Sequence, residues 1–185
     1  LLIPEVNESG YGIVPTSSTT AQLAIGDALA ISLMYQKKFN KMDFKKFHPS
    51  GNLGKKLRTV EDLMLKNRRI PFVEENSSLS RSIKIINNKK LGVAIIRNKK
   101  GETTGIFTDG DIKRTIQKKN NIKNLMIKSF MTRNPISVDK DILAAKAVSI
   151  MNEKKITSLC VYKKSNQKKT IGILHIHSLI DANIF

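Results

Sequence analysis

Two stretches of the chain carry the same order of apolar and polar positions, about 65 residues apart. In the first, Val60-Glu61-Asp62-Leu63-Met64 leads to Ile70-Pro71-Phe72-Val73, a short extended piece. Leu79 to Asn88 then has apolar residues at Leu79, Ile83 and Ile86, which is helical spacing. Val93 to Ile96 and Gly105 to Phe107 are β-prone runs joined by a Lys/Asn/Gly loop of hairpin chemistry, and Asp109 to Gln117 reads as a closing helix. The second copy runs from Ser129-Phe130-Met131 through Asn134-Pro135-Ile136-Ser137-Val138. A helix follows over Leu143 to Asn152, with Leu143, Ala147, Ile150 and Met151 on its apolar face. Strands at Leu159 to Val161 and Ile171 to Leu174 precede a last helix over Ile176 to Ala182. Each unit, in the order β-α-β-β-α, is too small to bury a good core alone; two copies packed face to face solve that problem.

The first 57 residues follow a different pattern. Leu1-Leu2-Ile3 reads as the end of a buried strand, and a loop through Asn7 to Gly12 leads to Pro15 and a helix start at Thr16 to Thr20. Asp27 is the one charge between Ala21 and Met34, which predicts a helix buried on most sides. A strand and one apolar helix cannot cover each other, so this piece is expected to belong to a larger α/β domain whose remainder lies upstream. The expected organisation is therefore an incomplete α/β domain over 1–57 and two repeats over 58–122 and 123–185.

Composition adds limits. With 185 residues, 40% hydrophobic and 26% charged, the chain reads as soluble and globular, without an apolar run of about 18 residues or a signal peptide, and the cytoplasm is the expected location. Its single cysteine, Cys160, excludes an internal disulfide and any multi-cysteine metal site, and reads as a small buried hydrophobe. A net charge of +18 raises nucleic-acid binding, but 26 of the 33 basic residues are Lys and aromatics are only 5%. The lysine pairs are spread over presumed helix ends and loops, without the contiguous Arg-and-aromatic stripe such binding uses. They read as solvated faces, and no nucleic-acid partner is expected.

The string Gly105-Ile106-Phe107-Thr108-Asp109-Gly110-Asp111 after the second strand, with the repeat order around it, resembles the tandem CBS-domain pair over Thr59 to Phe185. That resemblance implies clefts that take adenosine-type or other nucleotides. Thr108 would contact phosphate and Asp111 ribose, with Lys113 and Arg114 close enough to meet the phosphate. A hydroxyl suits a phosphate, and a carboxylate accepts both hydrogen bonds of a ribose diol. Equally, Asp109 or Asp111 can simply cap the helix that follows. The second copy, Gly172-Ile173-Leu174-His175-Ile176-His177-Ser178, has His175 in place of the Thr and Ser178 in place of the Asp, so the ribose grip is missing there. With no carboxylate or thiol nearby, His175 and His177 read as capping or solvated residues, and no metal is expected.

Upstream, Pro15-Thr16-Ser17-Ser18-Thr19-Thr20, Ile25-Gly26-Asp27-Ala28-Leu29-Ala30, Asp43-Phe44 and Phe47-His48-Pro49-Ser50-Gly51-Asn52-Leu53-Gly54 resemble the end of the sugar-isomerase (SIS) domain of D-arabinose-5-phosphate isomerases, which continue into a CBS pair. The resemblance implies a parallel-sheet SIS domain ahead of the repeats and homotetrameric assembly. It also implies interconversion of D-ribulose 5-phosphate and D-arabinose 5-phosphate without a catalytic metal or cofactor, on the route to 3-deoxy-D-manno-octulosonate and lipopolysaccharide. Aldose–ketose isomerisation moves a proton between C1 and C2 through an enediol and needs two acid/base groups. The resemblance puts Glu8 and His48 in those parts. Ser50 departs from the family's His-Pro-Gly-Gly, and the loop between Glu8 and Pro15 is one residue short. The alternative is a nucleotide-sensing CBS module without catalytic activity, in which a nucleotide or nucleotide-sugar is the effector.

Overall fold

In the computed structural model, residues 5–48, 51–118 and 125–184 are described. The strand expected at Leu1 to Ile3 and the turn at Ser50 lie outside them. By contacts the chain divides into two units, 1–49 and 50–185.

In the first unit, α1 spans Ser17–Gln36 and α2 Lys41–Phe47. Asn40 caps α2, its side chain accepting the N–H groups of Met42 and Asp43 while Asp43 returns a bond to the Asn40 N–H. The expectation that α1 is buried on most sides is not met. It has no buried residue, and Leu23, Leu29, Ile31, Leu33 and Tyr35 are exposed. The apolar composition was legible, but burial needs a covering surface, and the described residues supply none.

The second unit begins with α3 (Asn52–Lys56) and α4 (Val60–Leu63). The first repeat then gives β1 (Leu65–Lys66), β2 (Phe72–Glu74), α5 (Leu79–Lys89), β3 (Val93–Arg97), β4 (Thr103–Thr108) and α6 (Asp109–Lys118). The second gives β5 (Thr132–Arg133), β6 (Ser137–Asp139), α7 (Ala144–Lys154), β7 (Ser158–Tyr162), β8 (Gly172–His175) and α8 (Ile176–Asp181). In both, the strand before the helix pairs parallel with the strand after it (Val73 with Ile96, Val138 with Val161), and the next strand returns antiparallel. This is a mixed α/β arrangement, as the repeat pattern predicts.

The two repeats exchange their first strands. β1 adds to the sheet of the second repeat, which runs β1-β8-β7-β6, and β5 adds to that of the first, which runs β2-β3-β4-β5. The segments around these strands cross as well. The N–H of Ala144 donates to the Arg58 carbonyl, and the N–H of Leu79 donates to the Leu125 carbonyl. Each body's core follows suit. Val60 and Met64 pack with Ala147, Met151, Leu159 and Leu174, whereas Ile127 packs with Leu79, Ile86, Ile96 and Phe107. A third cluster of Ile70, Val93, Ile95, Cys160 and Ile173 draws on both sheets. Fully burying an aliphatic side chain contributes about 1.5–3 kcal/mol, so Val60, Met64 and Ile127 each add to the cohesion between the repeats.

Candidate functional site

α6 starts where β4 ends, and its first turn is organised by Asp111. The N–H and hydroxyl of Thr108 both donate to Asp111 Oδ2, at 2.9 and 2.8 Å, while Asp111 Oδ1 accepts from Arg114 Nη2. Thr108, Asp111 and Arg114 are three residues apart in sequence and so share one face of the turn. Asp111 is 7% exposed and Thr108 is half-buried. The capping role foreseen for this carboxylate is thus realised, and a diol arriving at Asp111 must share it with Thr108 and Arg114.

These residues line a cavity of about 690 Å³ between the two repeats. Lys90, Leu91, Gly92 and Val93 line it from the first repeat beside Thr108, Asp109 and Arg114. The second repeat contributes Lys155, Thr157, Ser158, His175 and His177, and the segment through Asn134, Pro135 and Ile136 adds a wall. Lys113 is exposed on α6 and is not among the lining residues, because it lies about 100° around the helix from Arg114. Its neighbour Arg114 faces the cavity but already holds Asp111.

On the second repeat, His175 stands opposite Ser158 in the β7–β8 register. His175 Nδ1 accepts the N–H of His177 at 3.3 Å, so it caps α8, and the two imidazoles meet edge to face at 4.8 Å. Burial, aided by His177, lowers the His175 pKa from its ordinary value. His175 is therefore a buried neutral cap. Among the described residues no group of three or more His, Cys, Asp or Glu could hold a metal. Ser158 is buried, and its hydroxyl is one of two buried side-chain oxygens without a partner among the described residues; the other is Asp139 Oδ2. Behind this wall Cys160 is fully buried, and burial pushes its thiol up to about 12 although Thr170 offers an opposing hydrogen bond.

In the first unit, Glu8 and the 16–18 turn come together. Glu8 accepts the N–H groups of Thr16, Ser17 and Ser18 as well as the Thr16 hydroxyl. Hydrogen bonds from the Ser18 side chain and the Thr16 backbone are the largest of the effects that lower its pKa to about 2. Glu8 thus caps the first turn of α1 from outside the helix. His48 has different company: its N–H closes α2 on the Phe44 carbonyl at 3.0 Å, and its ring lies 4.7 Å from that of Phe44. Among the described hydrogen bonds of Glu8, none reaches His48.

The comparisons with known proteins bear on the repeat fold. The model of the CBS domain matches residues 60–118 and 127–184. The chain belongs to the CBS domain family. As a CBS pair it is also similar to a solved structure, the CBS domain protein PAE2072 from Pyrobaculum aerophilum complexed with AMP. That likeness has a TM-score of 0.59 at 17% identity and covers 66% of this chain and 90% of that one. Among curated proteins, the pair and the residues before it match the C-terminal part of arabinose 5-phosphate isomerase KdsD from Escherichia coli (strain K12). The match is 38% identical over 174 residues, 94% of this chain and 52% of that protein. The uncharacterized protein RP505 of Rickettsia prowazekii is 34% identical over 184 residues, all of this chain and 56% of that protein. The chain spans about half the length of the curated relatives it matches. Among the described residues no helix of the CBS pair or of the preceding unit is long and apolar enough to cross a membrane.

Proposed function

We propose that the CBS pair is the nucleotide-responsive regulatory part of a cytoplasmic, homotetrameric arabinose-5-phosphate isomerase, and that its effector sits in the cavity between the repeats. The observation that carries this is the cavity itself, lined from both repeats, with the Thr108–Asp111–Arg114 turn on one side. Thr108 and Arg114 suit a phosphate, and Asp111 suits a ribose once Arg114 yields part of it. AMP in a neighbour of the same fold and the match to an isomerase over 94% of the chain support the two halves of the proposal. Titrating the chain with AMP, ADP and a nucleotide-sugar tests the effector: saturable binding weakened by Thr108→Ala supports it, and no heat with any of them overturns it.

In the intact protein, His48 and Glu8 serve as the acid/base pair of the isomerisation. Glu8 in the position described is a poor base, since a carboxyl near pKa 2 is badly matched to proton abstraction near pH 7. Its part in the reaction requires release from the α1 turn, which a sugar phosphate entering that turn would bring about. Loss of turnover in both His48→Ala and Glu8→Gln of the full-length protein, with substrate affinity kept, is the expected result. The second reading, a nucleotide-sensing module without catalytic residues in this chain, is favoured by the separate hydrogen-bond partners of Glu8 and His48. Retained turnover in both variants would establish it over the first for these two residues.

A further inference from the structure

The last helix turns before β3 and β7 end alike. Lys90 follows α5 with φ 55°, and Lys155 follows α7 with φ 52°; both are left-handed C-caps. Glycine is the usual residue at such a position, because a Cβ there costs about 1–2 kcal/mol. Elsewhere the CBS pair meets this need with residues suited to it: Asn67, Asn134 and Asn183, and the glycines Gly92 and Gly101. Lys38 also adopts a positive φ, but it follows α1 and is not among the cavity's lining residues. Lysine therefore stands twice, at equivalent places in the two repeats, against the local backbone preference.

Both lysines are exposed at the cavity and line it from opposite repeats. Their neighbours are engaged: Lys89 donates to the Arg68 carbonyl and Lys154 to Glu153. Neither Lys90 nor Lys155 has an acidic partner among the described salt bridges or hydrogen bonds. Of the cavity's other charges, Arg114 is paired with Asp111, leaving Asp109 against two ammonium groups without an acidic partner among the described residues. Strained backbone that persists at a cavity, carrying unpaired charge, is where function is to be sought.

Building on the nucleotide reading of this cavity, we propose that it takes one ligand with two phosphate groups, such as a nucleoside diphosphate or its sugar conjugate, held between Lys90 and Lys155. One molecule then contacts both repeats, and its occupancy fixes their relative position. Lysine suits this task as a compact charge on a long flexible stem, able to reach an oxygen without a fixed fork.

The test is isothermal titration of the whole chain with AMP and ADP, alongside Lys90→Gly, Lys155→Gly and, as variants that also tolerate a left-handed backbone, Lys90→Asn and Lys155→Asn. ADP is expected to bind once per chain and more tightly than AMP. Each single variant should weaken ADP about tenfold, the loss of one charge-assisted hydrogen bond, while AMP responds to at most one of them. Thermal melts should show both glycine variants more stable than the parent, so that weaker binding is not weaker folding. Two ADP per chain, or ADP affinity unchanged by either lysine, overturns the proposal while AMP binding leaves the nucleotide reading standing. No binding of either nucleotide by the unaltered chain removes that reading and the proposal together.

Discussion

Met131 of the second repeat occupies the space that a side chain on Gly105 of the first would need. A Cβ at Gly105 would lie 2.6 Å from the Met131 sulfur and 2.9 Å from the Thr132 carbonyl oxygen. The same relationship joins Gly172 to Met64, with the Leu65 carbonyl at 3.2 Å. At Gly105 the exchanged segment's backbone comes closer than a Cβ allows, whereas at Gly172 the backbone approach is only tight and the nearest atoms belong to the Met64 side chain.

Gly105→Ala should therefore destabilise the chain by about 1–3 kcal/mol, the usual range for overpacking, because the obstacle includes a backbone carbonyl. Gly172→Ala should cost less, since there the clash falls on the flexible Met64 side chain. Urea unfolding of both variants measures the difference; equal or inverted losses would show that the carbonyl is not what decides.

Asp111→Ala is expected to cost about 1–3 kcal/mol, as it leaves the half-buried end of β4 and the first turn of α6 without their shared acceptor. Arg114→Ala should cost well under that, because the Arg114 side chain is 65% exposed and such pairs contribute little. Thermal melting separates the two.

Acid should loosen α1. The folded-state pKa of Glu8 is lowered from 4.5 to about 2, so its capping of the helix is fully present above about pH 4.5 and is lost as pH falls towards 2. Glu8→Gln should show weakened capping already at neutral pH. Amide proton exchange of Thr16, Ser17 and Ser18 between pH 5 and 2 is the measurement, and protection independent of both pH and the variant would contradict the assignment.

Cys160 should resist thiol reagents in the native chain and react at the rate of unfolding, since burial raises its pKa to about 12 and leaves almost no thiolate at pH 8. Rapid labelling without denaturant would show that the sheet opens locally.

The repeat was readable because its apolar periods are local: α5 and α7 lie within two residues of the helices read at Leu79 and Leu143, and the paired strands overlap the predicted runs. The cap at Asp111 was readable for the same reason, since a cap spans three residues. The exchange of β1 and β5 was not, because two-residue strands carry no alternation and nothing in Leu65-Lys66 states which sheet it joins. Nor was the bond from Glu8 to a turn eight residues on, which depends on how the intervening loop folds back. Lys90 and Lys155 looked like solvated charge; their backbone angles, invisible in a sequence, are what single them out.

Since β1 and β5 each complete the other repeat's sheet, the pair amounts to a strand-swapped dimer whose two subunits happen to share one polypeptide. A chain cut down to a single repeat would keep a donor strand with no acceptor and a sheet edge with no donor. Two such halves have a ready remedy in each other, so isolated repeats should assemble as swapped homodimers rather than persist as monomers.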